Sequence, residues 1–185
     1  MKKWEMQIKL DFKNNTLYEL GYLATDINQL IVFCVLFENG NHEELEKIFV
    51  GTGNYALTRD TKVLKENRNS AEIKYIKDGS IVIGISVASL LATIIIPLIV
   101  HNVEKKINEK ENYYVFEIAL EDERLSKLLE EFEKGSYGKE IESLQWLLNS
   151  LSRSGYNVSI KSKDIYVIHN IINKYEKKII KMIKK

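Results

Sequence analysis

Residues 81–100 read IVIGISVASLLATIIIPLIV, a run of 20 residues without one charged side chain. Seven Ile, three Val and three Leu give it a mean hydropathy of about 2.7, above the roughly 1.6 expected of a membrane-spanning window. At about 1.5 Å per residue a helix of this length covers about 30 Å, the thickness of a hydrocarbon core. Lys74, Lys77 and Asp78 bound it on one side, and His101, Glu104, Lys105 and Lys106 on the other. Its many β-branched residues weaken a helix in water, whereas lipid obliges the backbone to satisfy its own hydrogen bonds. The stretch is therefore read as a transmembrane helix. The competing reading is a helix buried inside an α/β domain that sits in water.

Small residues recur along the segment. Gly84, Ala88 and Ala92 are spaced by four, with Ser89 and Thr93 beside them. On one helix they would form a flat stripe through which two membrane helices approach closely, so these five are the candidate helix–helix packing residues. Chance is the bland alternative, because such residues are common in apolar helices.

Working outward, Trp4, Met6, Ile8, Leu10 and Phe12 alternate with polar residues, the period-two pattern of a half-buried strand. Thr16, with Glu19 three residues on, predicts the start of a helix over Leu17–Phe37. Its second half, Leu30–Phe37, is solidly apolar but too short to cross a bilayer, which predicts a core helix with Cys34 as a buried, inert thiol. Asn39-Gly40-Asn41 stops it. A short helix is expected over His42–Val50, a loop with one helical turn over Gly51–Ser70, and strands over Glu72–Lys77 and Asn112–Leu120. The apolar segment's helix is expected to continue into water through Asn102–Lys110. Leucines at helical spacing predict helices around 125–132 and 141–151, the second closed by Gly155. Tyr156, Val158 and Ile160 alternate as a fourth strand, and Asp164 caps a long terminal helix.

That terminal helix carries Ile165, Ile168, Ile172, Tyr175, Ile179 and Met182 at heptad spacing. Lys174, Lys177, Lys178, Lys181, Lys184 and Lys185 occupy its other faces. The six lysines are the candidate membrane-surface or partner-binding residues of a basic amphipathic helix. The plainer alternative is a terminal helix packed on its own domain with a solvated face.

Composition excludes some function classes. With 27 basic and 26 acidic side chains the chain lacks the strong positive balance of a nucleic-acid binder. One cysteine permits no internal disulfide. The residues around His42, His101 and His169 have no metal-ligand spacing, Gly51-Thr-Gly53 lacks the context of a nucleotide loop, and no catalytic motif occurs. No catalytic, metal or cofactor residue is assigned.

The expected architecture is mixed α/β (α+β): an N-terminal lobe at 1–80, the apolar helix at 81–100, and a C-terminal lobe at 101–185. The expected function is non-enzymatic. The chain would be a membrane-embedded homo-oligomer serving as effector, pore component or anchored adaptor, bacterial or phage in origin by composition. Its partners would be the lipid bilayer, further copies of itself and a protein partner, not nucleic acid. It would sit in the cell membrane as a single-pass or monotopic protein. The alternative is a cytoplasmic α/β binding or regulatory protein whose apolar helix is buried in its own core or in an oligomer interface. Five basic residues before the segment (Lys62, Lys65, Arg68, Lys74, Lys77) against three after it (Lys105, Lys106, Lys110) favour a cytoplasmic N-terminal lobe under the membrane reading.

Overall fold

A computed structural model describes residues 3–11, 17–45, 48–49, 62–77, 81–108, 115–134, 141–158 and 160–183. The fold is mixed α+β. Its elements are β1 (Trp4–Asp11), α1 (Leu17–Glu38), α2 (His42–Leu45), α3 (Lys62–Glu66), β2 (Ala71–Lys77), β3 (Ile81–Val87), α4 (Ala92–Asn108), β4 (Val115–Leu120), α5 (Glu123–Lys134), α6 (Ile141–Arg153) and α7 (Ser162–Ile183).

The decisive stretch is not one helix. Ile81–Val87 is strand β3, and α4 begins only at Ala92. The expectation of a continuous helix over 81–100 is corrected here, for a physical reason. Ile83, Ile85 and Val87 alternate with Gly84 and Ser86, and β-branched side chains suit an extended backbone. Two flanking strands then supply the hydrogen bonds that lipid would have forced into a helix. β3 lies in the interior of a four-stranded sheet ordered β2-β3-β1-β4, antiparallel throughout. Ile8 faces Ile83 and Met6 faces Ile85 across β1 and β3, while Ile118 and Leu120 continue the same rows on β4.

With α1 between β1 and β2 and α4 between β3 and β4, the chain follows the split β-α-β topology of ferredoxin-like folds. The strands come from all three of the stretches 1–80, 81–100 and 101–185, so a single sheet joins them.

The second half of the segment forms α4. Ser89 Oγ accepts the Ala92 N–H at 3.1 Å and caps the helix. Ile94, Ile95, Ile96 and Ile99 are each at most 1% exposed, although successive positions point to different sides of a helix. A helix that is apolar all round needs cover all round. Here α1, α7 and the β4 side of the sheet supply it.

Helix α1 matches its expected span, and Cys34 is fully buried, with burial first and the nearby Glu38 charge second pushing its thiol well above the ordinary range. Helices α5, α6 and α7 also lie where leucine and isoleucine spacing placed them. The strand expected at Tyr156, Val158 and Ile160 is corrected. Its described residues have no strand partner, and Val158 N–H instead turns back to the Tyr156 carbonyl at 3.0 Å. The Thr16 cap and the Gly51–Gly53 loop lie outside the described residues.

Gly84 sits on the face of the sheet away from α1 and α4. A β-bulge between Ile73 and Tyr75 turns the Tyr75 side chain onto that face. Its ring covers Gly84, and its hydroxyl donates to Gln7 Oε1 at 2.9 Å. A Cβ on Gly84 would come within 2.6 Å of Tyr75 Cε1. Gly84→Ala should therefore displace the ring, break the Tyr75–Gln7 hydrogen bond and cost about 1–3 kcal/mol. Urea unfolding of Gly84→Ala, Tyr75→Ala and the double variant checks this: the double should lose less than the sum of the singles. Ile95→Ala, in the wholly enclosed part of α4, should cost about 2–5 kcal/mol in the same assay.

Candidate functional site

The expected small-residue stripe is dispersed over three kinds of structure. Gly84 is on β3, Ala88 and Ser89 lie in the turn after it, and Ala92 and Thr93 open α4, where Thr93 Oγ1 donates to the Leu90 carbonyl at 2.6 Å. These five residues cannot form one helical face, because a strand and a turn break the helical period. Ser89 and Thr93 serve the start of α4 instead.

The lysines divide. Lys178 Nζ donates to Asp26 Oδ1 at 2.6 Å and to Gln29 Oε1 at 3.3 Å, and it lies 4.7 Å from the Tyr175 ring centroid. Lys174 Nζ reaches the Phe49 carbonyl at 3.2 Å, and burial first, then the Lys178 charge, lowers its pKa. Lys177 and Lys181 are exposed, whereas Lys184 and Lys185 lie outside the described residues. Two of the candidate surface lysines thus fasten α7 to the body of the protein. Beside them the fully buried Tyr175 donates its hydroxyl to Gln29 Oε1 at 2.9 Å, and Lys106 of α4 pairs with the buried Glu176.

A different place has the features of a binding site. Two helices end beside it in the same way. At the end of α1, Gly40 adopts φ +72°, its N–H meets the Phe37 carbonyl at 3.1 Å, and Asn41 N–H meets Leu36 O at 2.9 Å. At the end of α6, Gly155 adopts φ +87°, its N–H meets Ser152 O at 3.1 Å, and Tyr156 N–H meets Leu151 O at 3.1 Å. Both are Schellman terminations, which require a residue at ease with positive φ and return the chain sharply toward the helix. The first delivers Phe37 and Glu38, the second Tyr156, to the start of α4.

Between them lies a cavity of about 580 Å³. Trp4 of β1, Phe37 and Glu38 of α1, Ala88, Leu90 and Leu91 before α4, and Gly155, Tyr156, Asn157, Val158 and Ile160 line it. Its size falls in the roughly 300–1,000 Å³ range of small-molecule sites, and its place is a junction between separate parts of the fold. Tyr156 is held firmly there. Its ring packs on Trp4 at 5.9 Å between centroids, Arg124 lies 5.4 Å over it, and its hydroxyl donates to Asp122 Oδ1 at 2.8 Å. Asp122 also caps α5 through the Arg124 N–H at 3.1 Å. Slight burial raises the Asp122 carboxyl, but the bonds from Tyr156, Leu125 and Arg124 outweigh it and leave the pKa lowered.

Glu38 is the one charged residue among the described lining residues. Its Oε1 accepts the Leu91 N–H at 2.8 Å, and the Ser89 hydroxyl and Leu90 N–H nearby also favour its ionised form. Glu38 remains solvent-accessible, yet packing around the carboxyl raises its pKa against those three donors. Among the described residues no group of three His, Cys or carboxylate side chains gathers as a metal site. Comparison with protein-family models, with curated proteins and with solved structures finds no match to this chain.

The sequence placed both terminating glycines, but not the cavity. Trp4, Glu38, Leu91 and Tyr156 are far apart in the chain, and no spacing rule joins them.

Glu38 sets a pH dependence. A carboxyl whose pKa is raised by folding penalises the folded state while it is ionised, and the penalty fades as pH falls through that raised pKa. Relative to Glu38→Gln, the parent should gain stability between pH 7 and pH 4, seen as a shift in urea midpoints. Glu38→Ala, which removes the acceptor for the first N–H groups of α4, should cost about 1 kcal/mol at pH 7.

Proposed function

We propose that this chain is a non-enzymatic, cytoplasmic binding or regulatory protein that houses its apolar segments in its own α+β core and recognises a ligand at the cavity beside Glu38. One observation carries the reading. The 81–100 stretch supplies an interior strand and an enclosed helix, with Val87, Ile94, Ile95, Ile96 and Ile99 at most 1% exposed. Each such side chain gains about 1.5–3 kcal/mol from burial, so the segment has a favourable place without lipid. The Glu38 cavity supports a binding role, since a cavity that joins apolar and aromatic side chains to a few convergent polar groups, one a perturbed carboxyl, is a common form of ligand site.

A second reading keeps one specific observation in its favour. Leu20–Glu38 of α1 is 19 residues long with a mean hydropathy of 1.6, enough by length and composition to cross a bilayer, although 67% of that window is buried in the fold. A membrane-embedded homo-oligomer would use this helix, not residues 81–100, and would set Lys177 and Lys181 against anionic headgroups. Core helices of proteins that live in water pass the same test.

Flotation of lysate on a density gradient, followed by a carbonate wash of the membrane fraction, separates the two. The proposal expects the protein in the soluble fraction and monodisperse in detergent-free buffer. Retention in floated membranes after the wash would overturn it.

A further inference from the structure

We infer that the cavity bounded by Trp4, Phe37, Glu38, Leu91, Tyr156 and Val158 binds a small amphipathic cation, an alkyl or arylalkyl amine whose ammonium sits against Glu38 and whose apolar body lies along Trp4 and Tyr156. The inference rests on the binding-protein reading above and names the class of ligand. Three features select that class.

The first is charge. Glu38 is the one charged side chain among the described residues of the wall, so an anion would meet its repulsion. The second is unfilled acceptor capacity. An ionised carboxylate offers about four lone-pair positions, and the Leu91 N–H fills one of them on Oε1 at 2.8 Å. The remaining positions suit a strong donor, and an ammonium also restores the stabilisation that packing removes from the ionised form. The third is the wall opposite. Trp4 and Tyr156 meet at 5.9 Å with planes tilted by 56°, presenting aromatic surface that accommodates a flat apolar body.

The test uses the two tryptophans of the chain. Trp146 packs on Phe132 in another part of the fold, with ring centroids 6.2 Å apart. Trp146→Phe therefore leaves Trp4 as the sole fluorescent reporter in the cavity. The full-length variant is titrated with 2-phenylethylamine, 2-phenylethanol and 3-phenylpropanoate, three probes of similar bulk that differ in charge. The expected result is a saturable change in Trp4 emission, with the amine about tenfold tighter than the alcohol and the carboxylate weakest, a tenfold ratio being about 1.4 kcal/mol. Glu38→Gln, which keeps an acceptor for the start of α4, should make amine and alcohol equal. Ala88→Phe, filling the cavity from the turn after β3, should abolish all three responses while circular dichroism stays unchanged.

Equal affinity for amine and alcohol in the parent would overturn the inference even if the Glu38 variant failed to fold. So would an amine preference that survives Glu38→Gln, or no saturable response to any probe. These failures are separable from failure of the broader reading: a chain that washes free of membranes but shows no amine preference sinks the ligand class alone. A chain retained in membranes sinks the broader reading whatever the fluorescence reports.

Discussion

The pairing of β1 with β3 is the constraint on which the rest of the structure depends. It holds Ile8 against Ile83 and Met6 against Ile85, and it sets the apolar face on which α1 and α4 pack. It also gives the most apolar stretch of the chain a place where every backbone group can be paired from the side. Once β3 is extended, the chain must turn at Ala88–Leu91 before α4 can begin, and that turn is one wall of the Glu38 cavity. Strand pairing, helix start and cavity therefore follow from the same local choice of strand over helix.

The helical side is held differently. Helix α1 is apolar on nearly every side, and α7 joins it through a mixture of greasy and polar contacts. Ile168, Ile171, Ile172, Tyr175 and Ile179 are buried, while Tyr175 and Lys178 reach Gln29 and Asp26 of α1. A buried polar group left without a partner costs more than a formed bond contributes, so such contacts select one register of α7 over its neighbours. Glu176 and Lys106 fix the same helix to α4 from another direction. The heptad-like spacing of α7 thus serves a seam within the chain, with α1, α4 and α6 as the partners.

The local grammar of the sequence was readable. Strict alternation placed β1, leucine and isoleucine spacing placed α5 to α7, and Gly40 and Gly155 marked the ends of α1 and α6, because only a residue free of a Cβ adopts positive φ at ease. Two stretches misled. In Ile81–Val100 the apolar content hid a change of period from two to 3.6, since nearly every position is apolar in either conformation. At Tyr156, Val158 and Ile160 alternation was present, but the described residues there pair with no strand, and alternation alone does not supply a partner.

The mixed α+β class, the stops of α1 and α6 at Gly40 and Gly155 and the need to bury residues 81–100 were legible in the sequence, because periodicity, terminating glycines and hydropathy are properties of neighbouring residues. The tertiary structure alone decided what would bury that stretch. It made half of it a strand by offering β1 and β2 as partners and enclosed the other half with α1 and α7. It also brought Trp4, Glu38 and Tyr156 to one cavity. The physical reason is that cover for an apolar segment, and convergence of side chains on a site, depend on surfaces distant in the chain, and hydropathy measures the demand for burial without saying what meets it.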